Sequence, residues 1–124
     1  MDSLKASDAL AASVAVAPRV KLSDIEAAIA ARFDVTADDA VRHGAWTVTD
    51  QQAHVTPMLD RLRILSICIL VMKNGYTVIG KSVPASPANF DRDLGKAFAY
   101  DDAVRQLWPL MGFALRDRLA AEQA

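Results

Sequence analysis

Cysteine occurs once in the 124 residues, at Cys68, so no internal disulfide can form and the fold must rest on its apolar core. Glycine and proline number five each, too few for a collagen-like or linker-dominated chain. Neither sign of charge prevails: the formal net charge is −1, and bulk charge gives no reason to expect DNA or a membrane surface as a partner. The longest strongly apolar run, Ile64 to Met72, falls far short of the ~20 residues of a membrane-spanning helix. Lys5, the stretch Ala9 to Ala17 and the triplet Ala15-Val16-Ala17 imitate a secretory leader, but Asp2, Asp8 and the weak hydrophobicity of alanine argue against one. His43 and His54 have no second His or Cys pair beside them, so a zinc site is not expected. No nucleophile elbow, zincin helix or glycine-rich dinucleotide turn is present. No catalytic residue, metal or cofactor is therefore expected.

What the chain does have is apolar content, 52% of its residues, but 23 of those are alanine. Six alanines fall within residues 1–17, where they supply little to bury. Residues 1–19 are accordingly expected to be a flexible Ala-rich arm, and 20–124 a single domain of α+β class. Ser23, with Glu26 in capping-box register and Ile25, Ile29 and Phe33 following, predicts a helix over about 23–32. Thr36–Val41 reads as a capped turn, and 43–60 as irregular, with a short strand at 45–49 and a stop at Pro57.

The centre carries the strongest pattern. Residues 63–73, the pair Asn74-Gly75 and residues 76–83 predict an antiparallel hairpin with a two-residue turn. In that register Leu65, Ile67, Ile69, Val71, Tyr76 and Val78 share one face, and Ile64, Leu70, Met72, Ile79 and Val83 share the other. Both faces are apolar, and a two-stranded ribbon is marginal alone. A third strand or another copy of the chain must cover what remains, so a homo-oligomer is expected, a dimer or a higher form such as a hexamer. Beyond it, Ser86-Pro87 predicts a helix start, and the stripe from Leu94 to Leu119 predicts two C-terminal helices, about 90–107 and 110–121, separated by a kink at Pro109. Asp91 and Asp93 in the first turns and Arg116 and Arg118 in the last match the helix dipole.

Gly75–Ser82 spells GYTVIGKS, a literal match to a phosphate-binding loop. The intervening Tyr-Thr-Val-Ile forms strands, and Pro84 and Pro87 deny the helix such a loop must open, so the match is read as accidental. Cys68, inside an apolar strand, reads as a small hydrophobe. From Arg61 to Phe90 there are four basic residues and no acid. With Ser86, Asn89 and the amides of the next helix, that stretch makes a candidate anion-binding neighbourhood.

The segment CILVMKNGYTVIGKSVPASPANFDRDLGKAFAYDDAVRQLWPLMGFALRDRLA, with KLSDIEAAIAARFDVTADDAV upstream, resembles a family of small tailed-phage proteins. The family pattern is a KNG hairpin, S-P-x-N-F-D, a helix and W-P-L-x-G-Y/F. The family in turn resembles the Thoeris anti-defence proteins, which oligomerise and sequester a cyclic ADP-ribose isomer, some of them cyclic oligonucleotides. The resemblance implies a protein of the host bacterial cytoplasm during infection that holds a small nucleotide-derived signal without turning it over. An aromatic face for the base and charge-assisted donors for the pyrophosphate would be needed, and the resemblance points to Asn89, Phe90, Arg116 and Arg118, contributed by one subunit or two. The alternative is an oligomeric phage interaction module that binds a host protein through the hairpin's exposed face. Val83-Pro84 departs from the small-Cys pair usual in the family, as does Lys81, where members commonly carry an acid.

Overall fold

A computed structural model of the chain describes residues 2–44 and 55–123. The elements run α1 (Asp2–Val14), α2 (Leu22–Ala28), β1 (Ile29–Thr36), α3 (Ala37–His43), α4 (Val55–Leu62), β2 (Ser66–Met72), β3 (Thr77–Ser82), a 3-10 turn (Pro87–Asn89) and α5 (Arg92–Glu122). The class is α+β, with one antiparallel sheet in the order β1-β2-β3. Helix α5 lies over one face of the sheet, where Leu70, Cys68 and Val78 meet Ala99, Ala103, Val104 and Leu107, with Ile25 of α2 closing the core.

The hairpin forms where expected, but its turn has three residues. Met72 N–H donates to the Tyr76 carbonyl at 2.8 Å, leaving Lys73, Asn74 and Gly75 between them, and Gly75 adopts φ 89°. A left-handed third residue is how a three-residue hairpin loop closes, and glycine adopts that conformation without strain. The register therefore moves by one: Leu70 faces Val78 and Ile69 faces Ile79. Val78 belongs with Leu70 and Met72 against α5, and Ile79 with Ile67, Ile69 and Val71 on the opposite face, the reverse of the two-residue expectation.

The third strand comes from the chain itself. The helix expected over 23–32 stops at Ala28, and residues 29–36 pair with β2, with a bulge between Ile29 and Ala31. The capping box is also displaced by two residues: Lys21 is the cap, and Asp24 Oδ2 accepts its backbone N–H at 2.9 Å. Arg32, Asp34 and Thr36 share the α5 side with Leu70, Cys68 and Ser66, while Ala31, Phe33 and Val35 join the other face. Phe33 and Ile79, each 58% exposed, leave that face apolar and open among the described residues.

The Ala-rich segment expected to be a flexible arm is helix α1. Leu4 is buried in the core, Arg19 Nη1 donates to Asp8 Oδ1 at 2.9 Å, and Leu22 N–H donates to the same oxygen at 3.1 Å. The capped turn after Thr36 becomes α3. Pro57 falls in the first turn of α4, where its missing N–H has no helical partner to lose, and does not act as a stop. The strand expected at 45–49 lies outside the described residues.

Helix α5 runs unbroken for 31 residues through Pro109, so the two helices expected are one. Pro109 is on the exposed side, where water can reach the Arg105 carbonyl that proline leaves without a donor. All buried α5 residues lie between Gly95 and Leu107. The part of the helix beyond Leu107 overhangs the hairpin turn.

Candidate functional site

The overhang of α5, the hairpin turn and the strap joining α1 to α2 line a cleft of about 640 Å³, within the range of small-molecule sites. Each wall is fixed by backbone bonding. Val20 is tied to α5 by Trp108 Nε1, which donates to its carbonyl at 3.3 Å, and this sets Arg19 at the rim. Lys73 N–H donates to the Ala28 carbonyl at 2.8 Å, pinning the turn to the end of α2. Asn74 Oδ1 accepts Tyr76 N–H at 2.9 Å, which orders the residue that presents the phenol ring. Arg118 enters from α5, about three turns beyond Leu107.

The apolar floor is Met72, Leu107, Leu110 and Met111. Three cations border it, Arg19, Lys73 and Arg118, against one acid, Asp24. Arg19 is partnered by Asp8, and Asp24 by the Lys21 amide. Among the described residues no carboxylate pairs with Lys73 or Arg118. The cleft thus offers two unpaired cations, an exposed aromatic ring and an amide side chain over an apolar base, a set that can bind an anion carrying a flat ring.

The four residues to which the resemblance points do not meet. Asn89 ends the 3-10 turn and is exposed; Phe90 is half-buried beside Gly95, lining with Leu94 and Phe98 a smaller pocket of about 230 Å³. Arg118 lines the large cleft, and Arg116 is exposed outside it. Between Arg92 and Arg118 the helix rises about 39 Å, so within one protomer the pair at its start cannot share a ligand with the arginines near its end.

The candidate anion neighbourhood of residues 61–90 also disperses. Arg61 is on α4, Lys73 at the hairpin turn and Lys81 on β3. The start of α5 is capped by its own carboxylate, Asp91 Oδ1, which accepts Leu94 N–H at 2.9 Å. An anion would have to displace that carboxylate. Ser86 stands before the 3-10 turn without a side-chain bond to it, and Arg116 and Arg118 precede the last turn of a helix that continues to Glu122.

GYTVIGKS has no phosphate-loop geometry. Gly75 closes the hairpin, residues 77–82 are strand, and Gly80 is buried under Ala99 and Ala103 of α5. Burial pushes the Cys68 thiol up to about 11, with the nearby Asp34 carboxylate adding to the effect, so it behaves as an inert small hydrophobe. Burial likewise raises the Tyr100 hydroxyl, whose ring carries the Arg32 guanidinium 4.3 Å from its centroid. His43 ends α3, and His54 lies outside the described residues. No cluster of three or more potential metal ligands, and no helix long and apolar enough to cross a membrane, occurs among the described residues.

Sequence reasoning did not single out Arg19, Asn74 or Tyr76 as site residues. The only signal it had there was the turn itself, Lys73-Asn74-Gly75-Tyr76, whose polar tip and ring stand at one end of an apolar hairpin.

In comparison with known proteins, the model of the phage protein (N4 Gp49/phage Sf6 gene 66) family matches residues 20–119. No curated protein and no solved structure gives a significant match.

Proposed function

The chain belongs to that family of phage proteins, and from this premise we propose that it binds and sequesters a cyclic nucleotide-derived immune signal, a cyclic ADP-ribose isomer or a cyclic oligonucleotide, in the host cytoplasm. The observation that carries the reading is the cleft beside the hairpin turn. Lys73 and Arg118, with which no carboxylate pairs among the described residues, supply charge-assisted donors, Tyr76 a ring against which a base can stack, and Asn74 an amide at the rim. Its volume suits a nucleotide-sized ligand. The lining holds no His, Cys, Ser or Thr beside Asp24 and so no nucleophile paired with a base, which favours holding the ligand over transforming it. The choice of ligand class comes from the resemblance of the family's pattern to the Thoeris anti-defence proteins. A site that also used Asn89 and Phe90 would draw them from a second protomer, since they stand at the far end of α5.

The test is to incubate the full chain with glyco-cyclic ADP-ribose and with cyclic di- and trinucleotides, follow its melting temperature, then denature it and analyse what is released. The reading requires a raised melting temperature and recovery of intact ligand. Recovery of altered ligand means catalysis, and no shift with any nucleotide overturns the reading. The open sheet face favours a second reading, an interaction module that docks a host protein against Phe33, Ile69 and Ile79. In that case Ile79→Asp abolishes binding of the host protein while nucleotide addition leaves the melting temperature unchanged.

A further inference from the structure

The two edges of the sheet are treated differently. Because Met72 and Tyr76 are hydrogen-bonded partners, so are Leu70 and Val78, Cys68 and Gly80 by the alternation of an antiparallel ladder. The backbone groups of Thr77, Ile79 and Lys81 therefore point outward from β3, and one group each of Ile79 and Lys81 is occupied by a side chain of α5. Lys81 N–H donates to Asp102 Oδ2 at 2.9 Å, and the Ile79 carbonyl accepts from Gln106 Nε2 at 2.8 Å. Side chains of α5 thus obstruct that edge over Ile79 to Lys81.

By the same alternation Ile67, Ile69 and Val71 turn their backbone groups toward β1, where Val35, Phe33 and Ala31 receive them. The amides and carbonyls of Arg32 and Asp34 are left pointing outward from β1. Among the described residues no hydrogen bond reaches them. An eight-residue strand with an open edge is a template for another strand.

We propose that β1 is the dimerisation edge, pairing antiparallel with β1 of a second copy about a two-fold axis through Phe33. Charge selects both the occupant and the register. A two-fold axis at Arg32 would set two arginines directly opposite, and one at Asp34 two aspartates. An axis at Phe33 sets Arg32 opposite Asp34 of the other copy, twice, and makes each of these a hydrogen-bonded pair, the parity that the outward-pointing groups require. The same register places Phe33 beside its copy and Ala31 beside Val35 on the open apolar face, continuing that face across the junction. The sequence Ala31-Arg32-Phe33-Asp34-Val35 is complementary to itself read backwards. The Arg32–Asp34 contact within one strand, 3.0 Å, becomes part of a ring of four alternating charges.

The test is sedimentation of the full chain at micromolar concentration, with charge variants and a cross-linking site. The wild-type chain sediments as a dimer or a multiple of one. Asp34→Arg, which opposes arginine to arginine at both pairs, weakens association by roughly tenfold or more. The double variant Arg32→Asp/Asp34→Arg restores it, because the opposition is again of unlike charges. Phe33→Cys forms a disulfide between copies on mild oxidation, since a non-hydrogen-bonded pair brings Cα atoms to about 4.5 Å; Ile79→Cys, on the same face near the obstructed edge, does not. A monomeric wild-type chain overturns the proposal. So does a failure of the double variant to recover, or cross-linking at Ile79 without cross-linking at Phe33.

Discussion

A β-carbon on Gly80 would stand 2.6 Å from the backbone nitrogen of Ala103 and 2.9 Å from its side chain, and would collide with the carbonyl oxygen of Ala99. Helix α5 and strand β3 are therefore in backbone contact at a point where only hydrogen fits. Gly80→Ala is expected to destabilise the fold by about 3 kcal/mol, the upper range for overpacking a rigid contact, read as a fall in the urea midpoint at constant slope. Lys81→Ala, next in the same motif, should leave both stability and nucleotide binding unchanged. A loss of binding in Lys81→Ala would return the motif to consideration.

Pro109 removes a hydrogen bond from the exposed side of a helix that continues regardless. Pro109→Ala is expected to restore the bond to the Arg105 carbonyl and raise stability by about 1–3 kcal/mol, seen as a higher melting temperature. No gain would mean that the proline bends α5 in a way the overhang needs.

Asp8 is held below the ordinary carboxylate value, first by the Arg19 guanidinium that donates to it and then by the Leu22 amide. Its folded value lies below its unfolded one. The stabilisation is therefore complete above the ordinary value of 3.8 and is lost as pH falls through the lower folded value. Denaturation midpoints measured from about pH 5 to pH 3 should fall less steeply in Asp8→Asn than in the wild-type chain. Parallel curves would show that the contact between α1 and residues 19–22 contributes nothing.

For the cleft, Lys73→Ala and Arg118→Ala are each expected to weaken nucleotide binding by about tenfold, the scale of one charge-assisted hydrogen bond. Tyr76→Ala should cost a similar factor, with Tyr76→Phe close to wild type because the ring face survives. Arg116→Ala, outside the cleft, serves as the control. Calorimetric titration distinguishes them, and equal loss in Arg116→Ala and Arg118→Ala would place the ligand elsewhere.

The hairpin and the α+β class were legible because Asn-Gly between two β-branched runs has few other uses. The sheet's third strand was not. Ile25, Ile29 and Phe33 recur every four residues as a helix would have them, yet Phe33 and Val35 also alternate with Arg32, Asp34 and Thr36 as a strand would, and pairing with β2 decides between the two. One further residue in the turn was enough to exchange Val78 and Ile79 between faces. The cleft was legible only in Lys73 and Arg118, because its walls come from residues 19–28, 72–76 and 107–118, which no local pattern connects. The arginine that lines it and the one that does not are two positions apart on a helix, and only the orientation of α5 over the sheet tells them apart.

The bonds from Asp102 and Gln106 to β3 have a bearing on how far assembly can go. A sheet with two bare edges adds copies at both and has no natural end, which is how filaments grow. Here one edge is occupied by the chain's own helix, and pairing about a two-fold axis consumes the other in both copies at once. Strand addition therefore stops after a single step. A chain can carry an exposed strand under that condition without seeding its own precipitation, and any larger assembly must grow through the apolar face or the α5 overhang, not the sheet edge.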